Sequence, residues 1–430
     1  MSSINSLFDT LKKHLYFVYA YYFKLWASIA LRRWDPKIIA VTGSSGKTTL
    51  LNMLDAQIGD ISEVSHHANS TFGIPFNILK LPGIEGSRMV WLINTLKAPI
   101  RAFSVKHKQA NYIVEIDAER PGEAPFLAKL LTPDITLWVS SSRTHASQFD
   151  KLVSSGKYKS VDEAVAEQYA DVCKHTKEKV IANGDNHNIL ASLKNIEAEL
   201  EFIELDKVLK KYSLTQYNSK FELKSGASYE IPQLVPVEVA YQIAMMDSTL
   251  KRLKIDPDYK FKNFRAPPGR SSIFNGIKNT KLLDSSYNSN LSSLEAVLHL
   301  FKAYSAEVKW AVIGDMVEQG KEEDREHQKI APLLKDTNLD RVIFYGPRVI
   351  KNTLPEFKKL CPNVVTESFD NPKEVLTYLE DEIKGGEAIL FKGARFLEGV
   401  IEKLLEDKTD ISKLARQTSV WKKRRSKWGL

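Results

Sequence analysis

Two cysteines, Cys173 and Cys361, are all that the 430 residues contain, which excludes a disulfide framework and a cysteine-built zinc site and fits a reducing compartment. Long uninterrupted apolar runs are missing too. The richest, Leu15 to Leu31, carries Lys24 within it and falls short of the about 20 apolar residues that a bilayer span needs. No small-residue cleavage site follows it, which argues against a removable signal peptide. Carboxylates are the scarcer charge, 53 against 61 lysines and arginines, for a net charge of +8. That balance favours anionic partners without naming one. With 43% hydrophobic and 27% charged residues, the composition is that of a soluble globular protein long enough for two or three domains.

Much of the positive excess sits at the two ends. Lys12 and Lys13 precede the aromatic run Leu15 to Leu31, and Arg32 and Arg33 follow it. Tyrosine and tryptophan favour the headgroup region, so residues 1–34 are expected to form an aromatic amphipathic helix that either lies in a membrane plane or packs on the protein's own core or a partner. At the far end, within the tail 411–430, the stretch Trp421 to Trp428 interleaves five cations with two indoles. This pattern suits an anionic lipid surface; contact with nucleic acid or a solvated tail are the alternatives. Taken together, the two ends favour an anionic membrane surface over nucleic acid.

Between the ends, strand-like and helix-like segments alternate, the sign of an α/β protein with a mainly parallel sheet. The stretch Ile38-Ile39-Ala40-Val41-Thr42-Gly43-Ser44-Ser45-Gly46-Lys47-Thr48-Thr49-Leu50-Leu51 has the strand, loop and helix order of a phosphate-binding loop. Its glycines let the backbone wrap a polyphosphate, with N–H groups and a helix N-terminus supplying positive potential. Lys47 would reach the β- and γ-phosphates, and the Thr48 hydroxyl would ligate Mg²⁺. Further on, Asn111 to Ala118 reads as a buried strand with Glu115 near its C-terminal end, where open α/β sheets collect ligands, so Glu115 is placed to hold the metal. A linker is expected at Arg265-Ala266-Pro267-Pro268, because two prolines stop regular structure.

Val41 stands where the first glycine of the general P-loop pattern would be, and Thr42-Gly43-Ser44-Ser45-Gly46-Lys47-Thr48 instead resembles the ATP site of the Mur ligase family, the ATP-dependent amide-forming enzymes of peptidoglycan synthesis. Asn69-Ser70-Thr71-Phe72-Gly73-Ile74-Pro75, Pro121-Gly122-Glu123 and Thr132-Pro133-Asp134 resemble further segments of that family. Gly269-Arg270, Leu283 to Asn290, Gly314-Asp315-Met316-Val317-Glu318-Gln319-Gly320 followed by His327, and Phe391-Lys392-Gly393-Ala394-Arg395 are similar to motifs of its D-alanyl-D-alanine-adding branch, in the right order. The resemblance covers roughly residues 37 to 405.

The resemblance implies a central P-loop parallel-sheet ATPase domain over 35–265 and a smaller, Rossmann-like α/β domain over 266–410. It implies ATP and Mg²⁺, with nucleotide held by Gly43, Ser44, Ser45, Gly46, Lys47, Thr48, Thr49, Asn183 and Asp284, and metal by Thr48, Glu115 and His145. Lys47, Glu115, His145 and Arg270 would carry catalysis, Arg270 by reaching the γ-phosphate on domain closure. Tyr287, Asn288, Asn290, Lys392 and Arg395 would face the substrate. The implied reaction joins D-alanyl-D-alanine, or another amine, to a soluble or lipid-linked muramoyl peptide through an acyl phosphate, in a cytoplasmic monomer; the two basic-aromatic ends add the inner face of the membrane as an option.

Departures from the family are equally legible. Ser140 replaces a usual asparagine, Ser285 replaces an aspartate, Val235-Pro236 replaces a His-Asn pair, and Val165 falls where a carbamoylated lysine is usual. Residues 1–36 are too few for the domain that grips a uridine nucleotide. A Mur-like ligase making another cell-envelope or polyglutamate-type amide, and a membrane scaffold that binds nucleotide without turnover, are the alternative expectations.

Overall fold

A computed structural model describes residues 2–66, 68–83, 88–393 and 396–430. Compactness divides the chain into two units, residues 1–141 with 162–203, and residues 142–161 with 204–430. The packing thus divides the chain elsewhere than at residue 265. The reason lies in Leu214 and Leu234, which pack into the same apolar cluster as Leu283, Phe301 and Leu390.

The first unit is built on six strands, β1 (Lys37–Thr42), β2 (Ser62–Val64), β3 (Asn111–Ile116), β4 (Ile135–Trp138), β5 (Lys179–Asn183) and β6 (Glu199–Ile203). They run in the order β2-β3-β1-β4-β5-β6, every neighbouring pair parallel. A parallel sheet covered on both faces needs mostly apolar strands, which β1 and β3 supply: all but Lys37 of β1 is buried, and so is all of β3, including its polar Asn111 and Glu115. Among the described residues to 174 the helices are α1 (Ser2–Trp34), α2 (Lys47–Ile58), α3 (Gly73–Leu79), α4 (Arg88–Ser104), α5 (Glu123–Leu131), α6 (Ala146–Ser154) and α7 (Val161–Lys174). Among them α6 lies in the second unit.

Helix α1 is a structural part of the first unit. Ala20, Phe23, Ala27, Ala30 and Leu31, at helical spacing, are buried, against α3, α4 and α5. Tyr16 donates to Glu123 at 2.6 Å and Lys24 to the Phe126 carbonyl at 3.1 Å. Phe23 packs edge-on against Phe76 at 4.7 Å, and Phe72 against Trp91 at 4.9 Å.

The second unit holds a three-stranded antiparallel sheet, β7 (Leu209–Leu214), β8 (Ser219–Leu223) and β9 (Ser228–Ile231). Its main sheet comprises β10 (Ser272–Gly276), β11 (Thr280–Ser285), β12 (Lys309–Gly314), β13 (Arg341–Tyr345), β14 (Val365–Phe369) and β15 (Ala388–Lys392). The order is β10-β11-β15-β12-β13-β14, parallel except for the edge pair β10 and β11. Alternation sends Leu283, Ile313 and Leu390 to one core and Leu282, Val312 and Phe391 to the other. The basic end of the chain is also built in. Ser419–Ser426 is helical, and Arg425 is buried with partners Glu402 at 3.1 Å and Glu398 at 4.0 Å.

Among the contacts that hold α4 on α1, one answers a proline. Pro99 lies inside α4 and has no N–H to give the Thr95 carbonyl four residues back. The Tyr22 hydroxyl of α1 donates to that carbonyl instead, at 2.7 Å. Tyr22→Phe is expected to lower stability by about 1–2 kcal/mol, seen as a lower urea midpoint. Pro99→Ala in the same background restores an N–H for Thr95 and should recover most of the loss. Equal midpoints for Tyr22→Phe and the parent would show that this hydroxyl does not hold the pair.

Candidate active site

Strand β1 ends at Thr42, and the loop to α2 turns through Gly43 at φ +130° and Gly46 at φ +80°. At Gly43 a Cβ would stand 2.7 Å from the Ser140 carbonyl oxygen, so this position admits no side chain. Ser140, just beyond β4, braces the loop: its carbonyl accepts from the Ser44 N–H at 3.0 Å and its hydroxyl accepts from the Ser45 N–H at 2.9 Å. That hydroxyl also donates to the Ser45 carbonyl at 2.9 Å. The family's asparagine is replaced here by a residue that grips the loop directly.

Helix α2 starts at Lys47, and its first turn, which includes Thr48 and Thr49, presents N–H groups that no intrahelical carbonyl takes. The Lys47 ammonium is buried, 2.6 Å from the Gly43 carbonyl and 3.3 Å from Asp117. Thr48 donates to Glu115 at 2.9 Å. Glu115 lies beside Val41 in the pairing of β3 with β1, and Asn69 approaches its other carboxylate oxygen at 3.5 Å. A hydroxyl and a carboxylate side by side form a hard oxygen donor set, suited to a divalent cation next to phosphate oxygens. Asn183 uses its amide to join strand ends, donating to the Val139 carbonyl at 3.1 Å and accepting from the Asp185 N–H at 2.9 Å. Sequence reading passed over Asp117, although it stands two residues after Glu115.

His145 belongs by packing to the second unit, where its Nδ1 lies 2.7 Å from Glu318. Its neighbour Arg143 donates to the Gln319 carbonyl at 3.0 Å, and Asp150 accepts from the Lys321 N–H at 3.0 Å. The Gly-Asp-Met-Val-Glu-Gln-Gly loop therefore holds residues 143–150, and Glu318 is a partner that the sequence reading did not single out. His327 is structural: it is fully buried, its Nδ1 faces the Glu323 carbonyl at 2.7 Å, and its Nε2 accepts from the Met316 N–H at 3.0 Å.

Asp284 is the last residue but one of β11, opposite Phe391, and Lys392 ends the neighbouring strand β15, opposite Ser285. Asp284 is fully buried, accepts from the Ser286 N–H and hydroxyl on one oxygen, and has no hydrogen-bond partner on the other. Burial pushes its carboxyl above the usual range. Lys392 donates to the Asn288 carbonyl at 2.8 Å; burial, then Arg270, push its ammonium down to about 7. Arg270 stacks on Tyr287 at 5.1 Å, and Arg416, another residue not foreseen, stacks there at 5.3 Å. Asn290 caps the helix Leu291–Ala303, while Asn288 accepts from the Ser289 N–H at 2.8 Å. Arg395 lies outside the described residues.

The loop at the carboxyl end of a parallel sheet, with a second, largely parallel sheet, defines an α/β protein of the phosphate-binding-loop class. Comparison narrows it. Residues 269–395 match the family Mur ligase, glutamate ligase domain. The UDP-N-acetylmuramoyl-tripeptide–D-alanyl-D-alanine ligase of Rickettsia prowazekii is 26% identical over 383 residues, covering 84% of this chain and 75% of that protein. Its Escherichia coli counterpart is 24% identical, covering 72% and 64%. Among solved structures, MurF ligase from Thermotoga maritima in complex with ADP superposes with a TM-score of 0.72 at 19% identity, over 92% of this chain and 84% of that one. Folylpolyglutamate synthase from Mycobacterium tuberculosis, complexed with ADP and AMPPCP, reaches 0.61 at 13% identity, over 88% and 94%. Residues 269–395 thus carry the match to the Mur ligase, glutamate ligase domain, and over most of its length the chain is similar to D-alanyl-D-alanine-adding ligases.

Because Lys392 is harder to protonate in the fold than in the unfolded chain, the unfolded chain binds the extra proton between about pH 7 and the ordinary lysine range, and stability rises with pH across that window. Below it the charging penalty is present in full. Lys392→Met should therefore stabilise the protein most at pH 6, and the gain should fade as pH rises through 7 towards 10. Urea midpoints across that range test this; a gain independent of pH would mean that Lys392 is not the group being charged.

Proposed function

We propose that the protein is an ATP-dependent amide-forming ligase that joins D-alanyl-D-alanine to a muramoyl-tripeptide precursor in cell-wall synthesis. The observation that carries this reading is the Thr48 and Glu115 pair at 2.9 Å, beside a buried Lys47 at the carboxyl end of a parallel sheet. Thr48 and Glu115 would hold Mg²⁺, which supplies charge neutralisation between the β- and γ-phosphates. Lys47 and the first turn of α2 bind and orient the triphosphate of ATP, and Ser140 keeps the loop in shape before ATP arrives.

In the second unit, Arg270, Lys392 and Arg416 supply positive charge around Asp284 and Tyr287, a wall suited to carboxylate-bearing substrates. The reaction balances in two displacements. A carboxylate oxygen of the muramoyl peptide attacks the γ-phosphorus as ADP leaves; the amine of the dipeptide then attacks the acyl carbon, inorganic phosphate leaves, and the amine's proton is lost. Catalysis by positioning and charge fits this chain, because each step gathers negative charge near fixed cations.

Val165 is fully buried in α7 and offers no ligand for a second metal. That observation favours one second reading, a nucleotide-binding protein with little turnover. The test is phosphate release with ATP and Mg²⁺, with and without UDP-linked muramoyl tripeptide and D-alanyl-D-alanine. Release requiring both substrates, reduced at least about a hundredfold by Lys47→Ala, is the expected result. ATP bound with no substrate-dependent release selects the second reading, and release with a different amine selects a ligase of other specificity.

A further inference from the structure

Helix α4 is amphipathic the wrong way round for a helix that serves only a core. Asn94, Ala98 and Ala102 face inward and are buried. Met89, Leu92, Ile93, Leu96, Ile100 and Phe103, at helical spacing, face outward and are 37% to 67% exposed. Scattered exposed leucines are ordinary, but a whole apolar stripe is the mark of an interaction surface.

The stripe continues onto α1. Tyr19 meets Trp91 at 6.1 Å, Tyr22 bonds Thr95, Trp26 meets Phe103 at 6.5 Å, and Arg33 donates to the Ala102 carbonyl at 2.9 Å. The helices therefore lie side by side in the same direction, and Val18, Tyr19, Tyr21 and Leu25 of α1 are exposed as well.

Parallel alignment also brings the basic ends together. Trp34 donates to the Gln109 carbonyl at 2.7 Å, which sets the exposed Arg32 and Arg33 close to the exposed Lys106 and Lys108; Lys97 is exposed on α4 itself. Neither residues 10–34 nor α4 contains a carboxylate. Beside that end stand Asp35, which is exposed, Glu63, which is engaged by His107 at 2.7 Å and Lys80 at 3.5 Å, and Glu178, which is paired with Lys37 at 3.0 Å.

We propose that α1 and α4 form one plate that docks the first unit on an anionic lipid bilayer, its apolar stripe in the acyl boundary and its basic end among headgroup phosphates. No helix among the described residues is long and apolar enough to cross a membrane, and an interfacial helix pair needs no such length. Charge selects lipid over an apolar protein partner, because a cationic end with so few opposing carboxylates complements anionic headgroups. Indole and phenol rings at Trp26, Tyr19 and Tyr21 suit the same depth. The proposal rests on the first unit alone, so it stands or falls separately from the ligase reading.

The test is flotation of the full chain with phosphatidylcholine vesicles, with and without phosphatidylglycerol. The protein is expected to float with the anionic vesicles and to be released as salt rises. Leu96→Glu with Ile100→Glu, both on the exposed stripe, should weaken flotation at least about tenfold while leaving the unfolding midpoint and ATP binding unchanged. Lys106→Glu with Lys108→Glu should do the same through charge alone. A parent protein that stays in solution, or floats equally on neutral vesicles, overturns the proposal. So does a dimer, seen by light scattering, that the stripe variant converts to a monomer without vesicle binding ever appearing, since the face would then be a contact between copies.

Discussion

The first unit depends on how one buried ammonium is satisfied. Removing a lysine charge from water costs several kcal/mol unless paired and hydrogen-bonded groups replace the solvent. For Lys47 the replacements are the Gly43 carbonyl and the Asp117 carboxylate. Asp117 is itself fixed by the Ala118 N–H at 2.8 Å and by the Tyr169 hydroxyl of α7 at 3.2 Å, a phenol that burial, and then Asp117, keep protonated. One charge thus ties together the loop after β1, the end of β3 and the middle of α7. These contacts, with those of Ser140, shape the loop through the protein's own groups. A lysine already desolvated and aimed has less ordering left to do when phosphate oxygens arrive.

The second unit is organised by the opposite condition, charges that its fold leaves poorly satisfied. Lys392 and Asp284 lie near the ends of neighbouring strands, and burial disfavours the charged form of each. Their mutual attraction opposes that penalty without cancelling it, since one Asp284 oxygen still lacks a donor. Arg270 adds a second cation to the neighbourhood. Such an arrangement gains most from a ligand that brings a negative group to the cations and a donor to the open oxygen. A zwitterionic amino acid or dipeptide has that chemistry, with carboxylate and ammonium a few bonds apart.

The parts written in local pattern were legible in the sequence. The apolar run of β1, the Gly-Ser turn and Lys47-Thr48 specify strand, loop and helix within a dozen residues, and the end of β3 places Glu115 by the same logic. What escaped was written in long-range pairing. Ser140 reads as a departure from a motif until its grip on Ser45, 95 positions away, is seen. Glu318 and Arg416 are surface-type residues in sequence and acquire their places only from His145 and Tyr287. Asn290 reads as a site residue, yet its spacing to Ser293 is that of a helix cap.

The face of α4 escaped for a different reason. Periodicity reports that a helix has an apolar side, not which way that side points. In α4 the small and polar residues Asn94, Ala98 and Ala102 let it approach α1 closely, while the large apolar residues remain outside. Helix α1 is apolar on both faces, with Phe23 and Ala27 inside and Val18, Tyr21 and Leu25 outside. Core packing accounts for one face of α1 and requires nothing apolar on the other. Water penalises the outer faces of both helices alike, and the Tyr22 hydrogen bond beside Pro99 ties the two helices together. An apolar medium against those faces, as the lipid proposal supplies, would remove that penalty.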